Sequence, residues 1–323
     1  NVTGVQTCAL PIYEFGTNPC SEIILRPFEF CNLSEIVVRA NDDVDSLKRK
    51  ARLATIIGTL QSTLTDFRYI NKKWKNNCDE ERLLGVSLTG ICDNKLLNKP
   101  SQKLADALDE IRLHCVETNK EFADLLGIPP SAAITCVKPS GTVSQLVDSA
   151  SGIHPRYSQF YVRRVRADMK DPLAQFMIDK GYKAEEDFYS KSNWVFSFPM
   201  KAPKNCVTRH DMTAIEQLEL WKTYQDHWCE HKPSITVYVG DDEWMEVGAW
   251  VYKNISVLSG VSFLPRDNGS YRQAPYEEID EAKYNELLAL QNVDINWVEF
   301  MEETDTTTSA KELACTAAGG CEV

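Results

Sequence analysis

Ala133-Ile-Thr-Cys-Val-Lys-Pro-Ser-Gly-Thr-Val-Ser144 decides how the rest of the chain is read. Its first five residues form a short apolar run, the length of a buried strand. Lys138-Pro139-Ser140-Gly141-Thr142-Val143-Ser144 then breaks the run and leads into a short helix. A strand that passes directly into a helix is the unit from which parallel sheets are wound. Small hydroxylated residues and a glycine at such a junction also let backbone N–H groups approach an anion, with phosphate the natural candidate. The pattern is not the nucleotide-cradling GxxxxGK[ST] loop. An ordinary capped strand–helix turn fits the same residues equally well.

The flanking sequence repeats the alternation. Upstream, residues 45–74 read as one long helix, with Leu47, Ala51, Ala54, Ile57, Leu60, Leu64 and Phe67 on a single stripe. Residues 82–91 read as a buried strand in which Leu84, Val86 and Leu88 alternate, and residues 101–126 as a helix ending at Gly127 before Pro129 and Pro130. Downstream, residues 160–165 and 194–198 are extended. Thr213 and Glu216 form a capping box that opens a helix to about His231. A β-branched strand follows at 234–239, then a helix at 242–252, a strand at 260–264 and a helix at 277–291. The expected fold class is α/β, a mainly parallel sheet with helices outside it. The strands are too few to specify closure.

Composition narrows the function. The 323 residues suffice for one large domain or two ordinary ones, and 43% hydrophobic content permits a substantial core. No run of 18 apolar residues occurs, so no membrane span is expected. A net charge of -12 argues against a dedicated binder of nucleic-acid backbone. The 11 cysteines are odd in number and follow no secretory signal, which points to a reducing, cytoplasmic compartment with most thiols reduced. Cys78, Cys92, Cys115, Cys136, Cys206 and Cys229 sit among apolar neighbours and read as small core residues. Residues 1–13 match nothing that follows and read as an artefact or a truncated end, so Cys8 is set aside.

Three residues alternate in Asn18-Pro-Cys-Ser-Glu-Ile23: Asn18, Cys20 and Glu22. In extended backbone they would face one ligand. Cys20 would react, Glu22 would move a proton, and Asn18 would orient a hydrogen-bonding group. The spacing alone fits a water-facing loop better. Cys31 lies eleven positions on, and Cys315 and Cys321 flank Thr-Ala-Ala-Gly-Gly near the end. A dithiol on the polar segment 302–310 staples nothing folded and reads as an exchange partner for another thiol pair. His227, Cys229 and His231 suggest a metal, but residues two apart on a helix do not share a face, so no metal site is assigned. Arg163, Arg164 and Arg166 read as a solvated strand edge, or as charge for a nearby anion.

Together these stretches resemble the adenosylcobalamin-dependent (class II) ribonucleotide reductases, in their monomeric ribonucleoside-triphosphate branch. The resemblance runs from about Gly16 to Val323. It rests on Asn18–Ile23, Lys138–Ser144, Gly152-Ile-His-Pro-Arg156, Glu216-Gln-Leu-Glu-Leu-Trp221, Trp228-Cys-Glu-His231, Gly260-Val-Ser-Phe-Leu-Pro265, Gln273-Ala-Pro-Tyr276 and the terminal dithiol. It implies the C-terminal half of a ten-stranded α/β barrel over residues 14–300, with a finger loop carrying Cys20, and a mobile redox-active tail over 301–323. By resemblance, Cys20 becomes a thiyl radical and takes the 3′ hydrogen of the ribose. Glu22 accepts the 3′ hydroxyl proton, and Asn18 holds the ribose hydroxyls. Cys31 is one of two reducing cysteines, its partner lying in the missing N-terminal half. Cys315 and Cys321 re-reduce that pair and are restored by thioredoxin. Pro139, Ser140, Gly141, Thr142, Val143 and Ser144 form the substrate's phosphate turn. The implied cofactor is adenosylcobalamin and the substrate a ribonucleoside triphosphate. Two alternatives remain: the same fold with diphosphates or another radical source, and a thiol redox or metal-binding module with no nucleotide chemistry. His154 is rejected as a cobalt ligand.

Overall fold

A computed structural model describes residues 15–204, 206–266, 272–291 and 293–301. The readings made for residues 1–13, for the polar segment 302–310 and for Cys315 and Cys321 lie outside the described residues. The strands are, in chain order, β1 Gly16–Thr17, β2 Ile24–Leu25, β3 Asn32–Val37, β4 Leu84–Thr89, β5 Thr135–Cys136, β6 Phe160–Asp168, β7 Ala184–Glu186, β8 Asn193–Lys201, β9 Ile235–Val239, β10 Val261–Pro265 and β11 Tyr276–Glu278. The helices are α1 Val44–Gln61, α2 Lys72–Glu81, α3 Gln102–Leu126, α4 Thr142–Leu146, α5 Pro172–Asp179, α6 Ala214–His227, α7 Trp244–Asn254 and α8 Glu281–Leu290. The fold is mixed α/β, in two compact units.

The first unit comprises residues 15–156 and 206–266. Its strands β3, β4 and β5 pair in parallel, and so do β9 and β10. One parallel bridge, Val137 to Pro233, joins the two sets, with Ser234 N–H donating to the Val137 carbonyl at 2.8 Å. The spatial order β3-β4-β5-β9-β10 therefore follows the chain, with a helical connection at each step. Among the described residues the strands do not close into a barrel.

These strands have two unlike faces. One side of β4 presents Leu84, Val86 and Leu88, all fully buried. They pack with Leu47, Ala51 and Ala54 of α1, Leu104, Leu108 and Ile111 of α3, and Leu218 and Trp221 of α6. Ile235, Val237 and Val239 extend this side along β9. The other side of β4 presents Gly85, Ser87 and Thr89. Leu33, Glu35 and Val37 stand beside them on β3, and Cys136 stands beside Ser87 on β5.

Local chemistry sets the helix limits. Asp43 and Ser46 form the capping box of α1, Ser101 caps α3, and Thr213 with Glu216 boxes the start of α6 as expected. Gly127 ends α3 with φ 67°, a conformation glycine adopts without steric cost. The single helix expected over 45–74 is two. Ser62 stops α1, with its hydroxyl donating to the Thr59 carbonyl at 2.7 Å, and Asn71 caps α2. Helix α6 ends at His227, so Cys229 and His231 lie beyond it. Residues 277 and 278, expected to open a helix, belong instead to strand β11.

The second unit, residues 157–204 and 272–301, is an antiparallel sheet of order β11-β6-β8-β7 with α5 and α8. The arginines of β6 are not a solvated edge, because β6 is an inner strand. Arg163 donates to the Tyr276 hydroxyl at 3.0 Å, Arg164 pairs with Glu277, and Arg166 pairs with Asp187 at 3.1 Å. Each charge is engaged within its own sheet. Among the described residues no helix is long and apolar enough to cross a membrane.

Candidate active site

Strands β1 and β2 pair antiparallel and hold residues 18–23 as a closed loop. The Ser21 N–H donates to the Asn18 carbonyl at 2.9 Å, which makes Pro19 and Cys20 the centre of a turn. Ser21 then adopts φ 64°. The alternate positions Asn18, Cys20 and Glu22 are therefore not on extended backbone, and a common face does not follow from a two-residue period. Proline at the first central position favours the turn. The Asn18 Oδ1 accepts the Ile23 N–H at 3.0 Å, which leaves the amide NH2 as the donor end of that side chain.

The loop lies against the polar face of the strands. A Cβ on Gly85 would stand 3.2 Å from Ile23 Cδ1, 3.3 Å from Cys136 Sγ and 2.4 Å from Leu33 Cδ2, so the missing side chain is what admits Ile23 and Leu33. The Lys232 N–H donates to the Glu22 carbonyl at 3.0 Å and ties the loop to the approach of β9. Cys20 is half-buried at the tip, whereas Glu22 is only 3% exposed. Its Oε2 is buried and has no hydrogen-bond partner among the described residues.

A strap from Arg26 to Phe30 then delivers Cys31 to the start of β3. Arg26 pairs with Glu81 at 3.0 Å and Glu80 at 3.2 Å, and its N–H donates to Glu29 Oε2 at 2.9 Å. Phe30 stacks on Trp74 at 4.4 Å, and its N–H donates to Cys78 Sγ. Burial pushes the Glu29 carboxyl up to about 8, with Glu81 adding to the rise and Arg26 opposing it. Burial, then the carboxylates of Glu22 and Glu29, hold the Cys31 thiol far above the ordinary thiol range. Burial likewise raises the Cys136 thiol, with Cys31 and Glu22 adding to the rise and Lys138 opposing it. Glu22, Cys31, Cys136 and Lys138 are thus electrostatic neighbours. Cys31 therefore stays a protonated thiol and is a poor thiolate nucleophile near neutral pH.

The 138–144 turn leaves the end of β5. Lys138 N–H donates to Ser87 Oγ at 2.9 Å, and its ammonium pairs with Glu35 Oε2 at 2.5 Å. Ser140 is 1% exposed and its hydroxyl has no partner among the described residues. The Ser144 hydroxyl turns back onto the carbonyls of Ser140 and Gly141. Gly152 sits at φ 54° because a Cβ there would meet the Lys138 carbonyl at 2.6 Å. The Gly152–Arg156 stretch has a structural job. Arg156 makes a two-point ion pair with Asp93 at 3.0 and 2.9 Å. His154 Nδ1 donates to the Ser151 carbonyl, and its Nε2 accepts the Thr236 N–H, both at 2.9 Å. Both nitrogens are consumed, and burial lowers the ring's basicity. His227 pairs with Asp109 at 2.8 Å, and His231 Nε2 donates to the Leu84 carbonyl at 2.9 Å. Glu35, Ser87 and Asp93 were missed from sequence, while Lys138 and Arg156 were quoted there only as parts of longer stretches; an acid inside the run Asn32–Val38 was the one available hint.

No family model matches the chain. It is 30% identical over 319 residues to the adenosylcobalamin-dependent ribonucleoside-triphosphate reductase of Lactobacillus acidophilus, covering 90% of this chain and 42% of that protein. It is 30% identical over 290 residues to a probable reductase of the same description from Dictyostelium discoideum, covering 85% of this chain and 36% of that protein. A crystal structure of a B-12 dependent (class II) ribonucleotide reductase superposes with a TM-score of 0.74 at 26% identity, over 87% of this chain and 43% of that one. The chain is homologous to the class II ribonucleoside-triphosphate reductases and spans less than half the length of these relatives.

Proposed function

We propose that this chain forms the half of a class II reductase that carries the reacting thiol, and that the complete protein converts ribonucleoside triphosphates to 2′-deoxyribonucleoside triphosphates. Residues 14–300 are half of a ten-stranded barrel, with 18–23 as its finger loop and 301–323 as a redox tail. The five strands in chain order β3-β4-β5-β9-β10 support this reading, as do their polar face and the loop lying on it. A second half would pair with the outer strands and complete the cavity.

One observation carries the assignment: Glu22 offers a buried carboxylate oxygen with no donor among the described residues, two positions from a half-exposed thiol. Such an oxygen calls for a donor from a ligand. A ribose 3′ hydroxyl supplies one. Cys20, as a thiyl radical, takes the 3′ hydrogen. Glu22 accepts the 3′ hydroxyl proton, and water leaves from the 2′ carbon. The Asn18 NH2 group holds the ribose hydroxyls. Cys31 and a partner thiol outside this chain supply two electrons and two protons, closing as a disulfide. Cys315 and Cys321 then reopen that disulfide by exchange and are restored by thioredoxin. Pro139 to Ser144 receive the phosphates, with the Ser140 hydroxyl as a donor in reserve.

The residues fit adenosylcobalamin in one respect, the thiol of Cys20 at an accessible loop tip. Bound there, the cofactor supplies the one-electron chemistry that removes the hydrogen atom from that thiol. His154 does not hold it, since both ring nitrogens are already bonded.

Cys20→Ser in the full-length parent tests the reading. Nucleotide reduction is expected to vanish while nucleotide binding persists. Retained reduction would overturn the role of Cys20 and favour a plain thiol-exchange module.

A further inference from the structure

Resting on that reading, we propose that Lys138 is a phosphate-binding residue of the nucleotide site, and that Glu35 competes with the phosphates for its ammonium group. Glu35 thereby sets how tightly a polyphosphate is held.

Lys138 is fixed from three directions. Its N–H donates to Ser87 Oγ at 2.9 Å, its carbonyl oxygen lies 2.6 Å from where a Gly152 Cβ would stand, and its ammonium reaches across β4 to Glu35 at 2.5 Å. The two side chains are 18% and 8% exposed, so the pair is largely desolvated. Stability does not explain such a pair. Desolvating two charges costs about what their attraction returns, and an apolar pair of equal volume would serve the sheet as well. The other face of the same strands is filled with apolar side chains of that kind.

Position supplies the missing reason. Lys138 immediately precedes the turn whose Ser140 hydroxyl is buried without a partner among the described residues. Its charge also reaches the thiol of Cys136, which Glu22 and Cys31 reach as well. Lys138 thus acts on a thiol that the acid of the reacting loop also acts on. Before a nucleotide arrives, Glu35 neutralises Lys138. A polyphosphate offers a stronger anion and draws the ammonium from its partner, at the expense of the ion pair.

Binding of inorganic tripolyphosphate and of ATP to the full-length parent, by titration calorimetry at low salt, tests the competition, with urea unfolding run on each variant. Lys138→Met is expected to weaken tripolyphosphate about tenfold or more, Lys138→Arg to stay within a few-fold of the parent, and Glu35→Gln to tighten it several-fold. Opposite signs for Lys138→Met and Glu35→Gln are the signature. Equal weakening in both, tracking lost stability, would overturn the proposal and leave a structural pair. Unchanged affinity in both would also overturn it. If the unaltered parent binds neither probe, the phosphate turn itself fails, and the inference falls with it.

Discussion

The two faces of the parallel strands divide the work of the molecule. On β4, Leu84, Val86 and Leu88 are sealed under α1, α3 and α6, while Gly85, Ser87 and Thr89 meet the 18–23 loop, the 138–144 turn and the Gly152 backbone. Successive residues of one strand point to opposite sides. Six consecutive positions can therefore encode a core and a site with no segment devoted to either. A change on the first face should be read out as stability, and one on the second as a change in the site.

The largest expected effect is on the sealed face. Leu88→Ala should cost about 2–5 kcal/mol in urea unfolding, from lost burial plus the cavity it leaves. Ser87→Ala, one residue on, should cost about 1 kcal/mol. Equal losses would break the division. Acid comes next. Burial lowers His231 to about 4 and also depresses His154. Imidazoles with depressed basicity contribute stability that is complete above about 6.5 and lost as pH falls toward 4. For His231 alone this amounts to as much as about 3 kcal/mol, measurable as unfolding midpoint against pH.

Crowding the polar face ranks third. Gly85→Val places its Cβ 3.2 Å from Ile23 Cδ1 and should loosen the 18–23 loop at a cost of about 1–3 kcal/mol, seen as faster proteolysis near Cys20. Glu29 acts in the opposite pH direction to the histidines. Its carboxyl, raised to about 8, favours the fold below about 4.5 and withdraws that support as pH rises through 8. Glu29→Gln should flatten this alkaline decline in the same unfolding series. The smallest effect is chemical. Cys31 should resist iodoacetamide at pH 8 in the folded chain and react promptly in urea, with mass spectrometry of the labelled peptides as the check.

What the sequence revealed follows the same division. The buried side of β4 was plain, because Leu84, Val86 and Leu88 alternate inside a run bounded by polar residues. The capping boxes and the stop at Gly127 were plain for equally local reasons. The helix at 45–74 was overextended because Leu64 and Phe67 continue the apolar period, although Leu64 is 73% exposed and Ser62 has already bonded back to its own turn. The shared face considered for Asn18, Cys20 and Glu22 required extended backbone, and Pro19 carries a turn as readily as a strand end. Cys20, Glu22 and the 138–144 turn were picked out as residue patterns, and the resemblance supplied the roles proposed for them. Glu35 and Ser87 were not, since their roles depend on a register between strands tens of residues apart, which no local pattern encodes.

His154 deserves a last consequence. Strand β5 stops at Cys136, so beyond the bridge at Val137 nothing of its backbone lies beside Thr236. The imidazole fills that gap by accepting the Thr236 N–H. A ring has taken the place of a carbonyl, and the chain is released from the ladder just where it must swing away to build the 138–144 turn. Replacing His154 with Ala would leave that donor without its partner, and the departure of the chain from its sheet would lose its substitute rung.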